Sequence, residues 1–451
     1  MKIVFNDSEL SKGIINVSLN GGYTYTDYEI TDVKESGIPL DDSQDYEKIK
    51  IKGPANTLKR LDVITTLPSN GEATEKPNFI IDKDTHGFSF PECIVGITLP
   101  DGITSITFST NGYVTYSGFS YFPNLHNIII PSSVTSIGSS AFYGCSGLTS
   151  IDIPEGVTSI GEYAFYKCSS LTNINIPKGV TFIGKRAFYE CTNLTSIDIP
   201  EGVTKIGEHA FYGCINLTSI NIPNSVTEID EGAFVLCSSL TSISIPEGVT
   251  SIRRSNFSSC KSLTSINIPK DVTFIGNYAF ANCSSLTSIT IPDGVTSISD
   301  EAFKGCSSLT NVRVDENNQN YSTSEDGKII FNKDKTTLVC YPSVNGDYTI
   351  PDSVTNIGNG AFSDCKSLTS INIPEGVTSI GDSAFVLCSN LTIINIPDSV
   401  AEINNKAFFG CKSLKTINYK GTEDQWNAIP KGTDWNEYCP SNMKINYDYQ
   451  G

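Results

Sequence analysis

The chain has 451 residues, a formal charge of −18 at pH 7 and a pI near 4.6, an acidity that argues against a general electrostatic footprint for nucleic-acid phosphate. No run of 18 apolar residues is present to form a membrane-inserting helix. No CxxC occurs among the fourteen cysteines and the three histidines, His86, His126 and His209, are scattered, so neither a zinc site nor any other cofactor is indicated.

Residues 1–92 carry no repeat. The first twenty, Met1 to Asn20, have neither an apolar core nor an A-x-A-like site and do not read as a signal peptide. Ile14–Leu19, Tyr23–Ile30, Tyr46–Ile51 and Leu61–Leu67 read as strands. Asn20-Gly21-Gly22, Gly53-Pro54 and Pro68-Ser69-Asn70-Gly71 supply turns between them. These residues predict a small β-rich module with two uses, a cap on the first edge of the repeat region or an attachment domain that docks onto a carrier assembly. The length favours attachment, since sealing one open edge takes only about 20–30 residues.

Ile97-Thr98-Leu99-Pro100 and Leu125-x-x-Ile128-x-Ile130-Pro131 are the first strand signals of a second region, with the aromatic stretch from Phe108 to Tyr121 bulging between them. From Pro131 the chain repeats every 23 residues, marked by Cys145, Cys168, Cys191, Cys214, Cys237, Cys260, Cys283 and Cys306, then by Cys365, Cys388 and Cys411. In one lap Leu171-x-x-Ile174-x-Ile176 reads as a strand with its isoleucines on one face, and Pro177 stops it. Val180-x-x-Ile183 supplies two more inward side chains, and Ala187-Phe188-x-x-Cys191 has helical or 3₁₀ spacing. Such a lap cannot bury its apolar face alone, so stability belongs to the stack. Eleven cysteines at one repeat position predict a ladder of reduced, buried thiols, since parallel Cβ vectors fit disulfide geometry poorly. Cys93, Cys340 and Cys439 fall outside that spacing.

The pattern IPxGVTxIGxxAFxxCxxLTxIxIP resembles the BspA-like leucine-rich-repeat family over roughly Ile97 to Tyr419, and its period lies within the 20–29 residues of leucine-rich repeats. The resemblance implies a non-enzymatic, often adhesive, surface protein and carries over no ligand residue, because the motif describes core positions. The expected fold is a leucine-rich-repeat solenoid over residues 93–419, mostly short parallel β-strands with short helical or 3₁₀ turns. An inserted β-hairpin lap is expected at 315–350, where Lys328–Phe331 and Thr337–Tyr341 flank Asn332-Lys333-Asp334-Lys335. Residues 420–451, which hold Trp426 and Trp435, read as a C-terminal cap over the last open strand.

Three rows are candidate binding surfaces. The outward positions of the strand ribbon are small and polar and should form a concave face for a glycan or a polar protein surface. Asn173, Asn175, Asp198, Asn221, Asn267 and Asn372 belong to it, with Arg313 and Ile393 breaking its monotony. Side-chain ladders along the stack would explain the same residues without a ligand. Tyr143, Tyr166, Tyr189 and Tyr212 recur beside the repeat phenylalanine and predict an aromatic stripe on the convex side, a binding surface or half-buried packing. In a deviant lap Arg253 replaces the turn glycine, Arg254 comes next, and Asn256 replaces the buried alanine, which is either a local contact site or drift. No GxSxG, GxGxxG or HExxH motif is present, and no enzyme is expected. The expected function is recognition of protein or glycan on a host or cell surface by an extracellular adhesion protein. The alternative is a decoration or fibre protein of a virion or other assembly, docked through residues 1–92; the methionine start without an export signal favours this alternative.

Overall fold

A chain that places Leu, Ile, Ile, Val, Ile, Ala, Phe and Cys at fixed points of a 23-residue period buries all of them by coiling and stacking each lap on the one before. The computed structural model is such a parallel β-solenoid. It describes residues 122–341 and 346–450 except Asn124, and upstream of these only short strand segments and Ile106. The chain divides into two units, Met1–Ser225 and Val226–Gly451.

In the first unit each lap has three sides. On the front, Ser196–Asp198 pairs in parallel with Ser219–Asn221, Ile197 opposite Ile220, with the isoleucines inward and the polar residues out. Proline ends the strand and closes a turn, as where the Val157 N–H donates to the Pro154 carbonyl at 3.0 Å. On the second side Ser136–Ile137, Ser159–Ile160, Phe182–Ile183 and Lys205–Ile206 form a parallel ribbon. Two residues per lap are too few to reveal a strand by alternation, and the sequence shows here only inward side chains.

Of the helical or 3₁₀ turns expected on the third side, the laps show i→i+3 turns and no helix. The Ala164, Tyr166 and Cys168 N–H groups each close an i→i+3 turn on Gly161, Tyr163 and Phe165, at 3.4, 3.1 and 3.1 Å. Between them the Tyr163, Phe165 and Lys167 N–H groups donate instead to Lys185, Ala187 and Tyr189 of the next lap, at 2.8, 2.8 and 2.7 Å. That alternation needs left-handed residues: Tyr163 and Lys167 have φ of 56° and 58°, and other laps use Gly144 and Gly213 at the second of these positions. A helix cannot form, because every other N–H leaves the lap. The glycine that opens this side answers to sterics: a Cβ on Gly184 would lie 2.4 Å from the Gly161 carbonyl carbon.

The core is a stack of like on like. Phe142, Phe165, Phe188 and Phe211 lie nearly parallel with centroids 5.2, 5.3 and 5.4 Å apart. The cysteines beside them are buried and form no disulfide. They are also more than small apolar residues, because the thiols of Cys168, Cys191 and Cys214 donate to the carbonyls of Phe142, Phe165 and Phe188 at 3.1, 3.1 and 3.2 Å. Burial pushes the Cys145 and Cys214 thiols up to about 12.

The second unit repeats this lap, with stacked Phe234, Phe257, Phe280 and Phe303 and thiol bonds from Cys260, Cys283 and Cys306. Its front ribbon joins Ser288–Ile291 to Asn311–Val314, and later Leu368–Asn372, Ile393–Ile396, Thr416–Tyr419 and Lys444–Asn446. In the insertion Tyr321–Thr323, Ile330–Asn332 and Thr337–Cys340 form an antiparallel meander, of which the first strand is absent from the sequence reading. Its last strand pairs in parallel with Asn356–Ile357 of the following lap. Tyr341 takes the phenylalanine position, and its carbonyl accepts from the Cys365 thiol at 3.3 Å.

Residues after Tyr419 are a further, degenerate lap. The Lys406, Phe408 and Gly410 N–H groups donate to Thr433, Trp435 and Glu437 as they would to a following repeat. Trp435 stands over Phe408 at 6.1 Å, Lys444–Asn446 extends the front ribbon, and Lys431 bridges Ile403 on the second side. The Cys439 thiol donates to the Phe408 carbonyl at 3.1 Å, so this residue continues the ladder despite standing 28 residues after Cys411. The extra length is a helix, Glu423–Ala428, with a Thr422–Gln425 capping box and Trp426 buried beneath it.

Upstream, strands are described at Ile14–Ser18, Thr26–Glu29, Lys50–Lys52 and Leu61–Ile64. Leu61–Ile64 pairs in parallel with Ile94–Thr98, which pairs with Asn127–Ile129. The side chains of this region, the bulge Phe108–Tyr121 and Cys93 lie outside the described residues.

Candidate functional site

Strand pleating turns one set of side chains outward on the front ribbon, and parallel pairing in register lines them up lap over lap. In the first unit Asn173, Asn175, Asp198 and Asn221 are exposed there, with Asp152 beginning the row. A threonine row runs beside it: the Thr172, Thr195 and Thr218 hydroxyls donate to the Thr149, Thr172 and Thr195 carbonyls at 3.1, 3.3 and 3.0 Å. In the second unit Asn267, Arg313, Asn372 and Ile393 are exposed on the corresponding ribbon. Here asparagines bond head to tail: Asn395 donates to Asn372, Asn418 to Asn395 at 2.8 Å, and Asn446 to Asn418 at 2.8 Å. Asn372 is therefore a rung of a ladder as well as a surface residue. Arg313 lies opposite Thr290 and Ile393 between Ser370 and Thr416, each a larger side chain among small ones.

The tyrosine row in the first unit is a ladder on the turn side. Tyr143, Tyr166, Tyr189 and Tyr212 stack at 4.4, 4.8 and 4.5 Å, all half-buried, with interplanar angles of 14°, 13° and 1°. Rings stacked this closely offer edges and hydroxyls rather than faces. Burial pushes Tyr189 up to about 12, helped by the charge of Glu190. The left-handed residues beside the ladder complete this surface. Tyr163 lies 5.8 Å from Tyr166, Arg186 sits over Tyr163 and Tyr189 at 5.7 and 5.8 Å, Lys167 over Tyr166 at 5.5 Å, and His209 stacks on Tyr212 at 5.6 Å. Lys185 bonds Glu208 at 2.7 Å and holds that carboxyl below its ordinary range. The position before the repeat alanine carries Ser140, Tyr163, Arg186 and His209, and its variety hides it from a reading of the consensus.

The deviant lap of the second unit is internally compensated. Arg253 pairs with Glu228 at 2.6 Å and with Asp230, and Arg254 with Glu231 at 3.6 Å. Asn256, buried where other laps have alanine, accepts from the Arg253 N–H at 2.6 Å and donates to the Asp230 carbonyl at 2.5 Å. Two changes from the consensus thus satisfy one another.

A cleft of about 410 Å³ opens in the second unit, lined by Lys261, Asn282, Gly305, Asp364 and Lys366 among others. Its lining comes from laps before and after the insertion. Ser363 donates there to Glu301 at 2.9 Å and Asn359 to Asp300 at 3.1 Å, while Lys366 and Asp364 pair at 3.2 Å. Among the described residues no three His, Cys, Asp or Glu side chains cluster to hold a metal, and no helix is long and apolar enough to cross a membrane.

Two of the similar solved structures are 30–34% identical to this chain over the stretches that align. A leucine rich cell surface protein of Faecalibacterium prausnitzii is 34% identical, over 62% of this chain and 90% of its own, with a TM-score of 0.47. A leucine-rich repeat protein of Eubacterium ventriosum is 30% identical, over 56% and 60%, with a TM-score of 0.42. One of Bacteroides ovatus, 24% identical over 90% and 96% at a TM-score of 0.52, has the same fold. No curated protein matches. The BspA type leucine rich repeat region matches residues 112–241, 229–325 and 341–430, about two thirds of the sequence. The chain belongs to the BspA type leucine-rich repeat family.

Proposed function

We propose that this is a non-enzymatic recognition protein displayed at a cell surface, whose front ribbon meets a protein or glycan target. Membership of the BspA type family supports the reading. The observation that carries it is the division of labour within a lap: core positions are filled by packing, while Asn173, Asn175, Asp198 and Asn221 are exposed and unconstrained by the apolar core. Arg313 and Ile393 have the size to be anchors on the corresponding ribbon of the second unit. Residues 1–92 would tether the protein, and Arg253 and Arg254, which follow the second-side strand Ser251–Ile252, lie off the front ribbon and play no part in this reading.

The test is binding of the purified protein to arrays of extracellular proteins and of glycans, beside a variant carrying Asp198→Lys and Asn221→Lys. A target bound by the parent and lost by the variant supports the reading. Indifference of the arrays to the parent, or equal binding by the variant, refutes it.

A further inference from the structure

The tyrosine ladder carries an order of charges that matches its own reverse. Along the four tyrosine laps the residue after the ladder is Gly144, Lys167, Glu190 and Gly213. Two positions after the repeat isoleucine come Ser139, Glu162, Lys185 and Glu208, and next to these Ser140, Tyr163, Arg186 and His209. Take a two-fold axis lying in this face, across the stack, midway between the Tyr166 and Tyr189 laps. It returns the ladder to itself and brings each row over its own reverse. Lys167 then meets Glu190 of the copy, Glu162 meets Lys185, and the Tyr163 ring meets the Arg186 guanidinium. All three central pairs are attractive, and the outer laps add no like charges.

We propose that a second copy of this chain docks antiparallel on the tyrosine face of the first unit through that axis. The groups reach solvent while engaged within their own chain: Lys167 and Glu190 are 51% and 39% exposed, and Lys185, bonded to Glu208, and Arg186 are 36% and 34% exposed. The internal Lys167–Glu190 pair, at 3.5 Å, closes with its copy into a square of alternating charge. The tyrosines supply what interfaces favour, amphipathic rings already ordered by stacking, so little side-chain freedom remains to be lost. An isologous pairing of this kind also closes on itself and does not propagate.

The contact is small. Four laps at a strand spacing of about 4.8 Å give a patch roughly 15–20 Å long, well short of the ~800 Å² per partner of stable complexes. The pairing is therefore weak, of the size of transient contacts. It becomes effective where many copies are held on one surface or on two facing ones, since tethering multiplies weak contacts. The inference goes beyond the recognition function proposed above and does not depend on it, because the front ribbon plays no part.

Sedimentation of the full chain over about 10 µM to 1 mM tests it. The parent should shift from monomer to dimer. Lys167→Glu and Glu190→Lys, each alone, should weaken dimerisation about tenfold by facing like charges across the axis. An equimolar mixture of the two variants should recover the parent's association, and so should the double variant, because both arrangements place opposite charges opposite one another. Circular dichroism and the thermal midpoint establish that each variant is folded. A parent that stays monomeric at about 1 mM overturns the proposal. So does single-variant association equal to the parent's, and so does a mixture or double variant that fails to recover, which would mean a different pairing geometry.

Discussion

Raising the pH should unfold this protein through its thiols. Nine ladder cysteines, among them Cys168, Cys191 and Cys306, have their pKa pushed up, chiefly by burial for all but Cys411. An acid with a raised folded pKa holds its proton in the native state and releases it on unfolding. Its stabilising contribution is intact below the unfolded value and is lost as pH rises above it. For Cys145, Cys214 and Cys283, raised from 9.0 to about 12, the loss by pH 10 is on the order of 1 kcal/mol each, or a few kcal/mol together. The remaining six act in the same direction, against a typical domain stability of about 5–15 kcal/mol. Far-ultraviolet circular dichroism and thiolate absorbance, tracked together from neutral pH upward, should change in one cooperative step above the ordinary thiol range. Tyr189 and Tyr278, raised to about 12, add to the effect and are resolved by the separate absorbance of tyrosinate. Thiolate appearing near pH 9 while the dichroism stays native would mean that the ladder is open to solvent, and the reasoning would fail.

Phe188→Ala should cost about 3–5 kcal/mol in chemical denaturation, since the ring lies fully buried between two others and the stack resists collapse. Gly184→Ala should cost about 3 kcal/mol because its Cβ meets backbone, whereas Gly156→Ala, with nothing nearer than 3.6 Å, should be neutral or slightly stabilising; equal effects would contradict the close approach of the laps. Asn395→Ala should lose about 1–2 kcal/mol by opening the asparagine ladder on both sides. A chain beginning near Phe90 removes the strand Leu61–Ile64 that pairs with Ile94–Thr98. If residues 1–92 attach rather than cap, this chain stays soluble and folds cooperatively but loses its carrier; aggregation identifies a cap.

Whatever repeats with one chemistry is legible in the sequence. Ile174, Ile176, Val180, Ile183, Phe188 and Cys191 are each buried where the period places them. The failures have specific causes. Cys439 escapes the 23-residue count because a helix lengthens its lap, though its thiol bond to Phe408 is that of every other rung. Ala-Phe-x-x-Cys has helical or 3₁₀ spacing and leaves the turn-side backbone open; the left-handed Tyr163 and Lys167, which send alternate N–H groups to the next lap, leave no mark on hydrophobic periodicity. Those residues vary from lap to lap because only their backbone is constrained. For the same reason the surface beside the tyrosines is not legible as a unit.

The insertion indicates how such a stack can change one face and keep another. Within Val226–Gly451 the front and second sides between Val314 and Ile350 are rebuilt as an antiparallel meander. On the turn side Tyr341 packs edge-on against Phe362, and Ser363 donates directly to Glu301 of the lap before the insertion. The reason lies in the hydrogen bonding. Turn-side N–H groups bond to the following lap, as Phe280 does to Ala302 and Phe362 to Ala384, so each corner needs a neighbour but not a regular strand behind it. Tyr341 meets that need with one N–H to Ala361 and one carbonyl for the Cys365 thiol. A lap can therefore be lengthened at the front by many residues if it returns one aromatic residue to the core. New recognition surface is accordingly least costly at the front and second sides, whereas the turn side changes only by exchanging single side chains, as Tyr163, Arg186 and His209 do at one left-handed position.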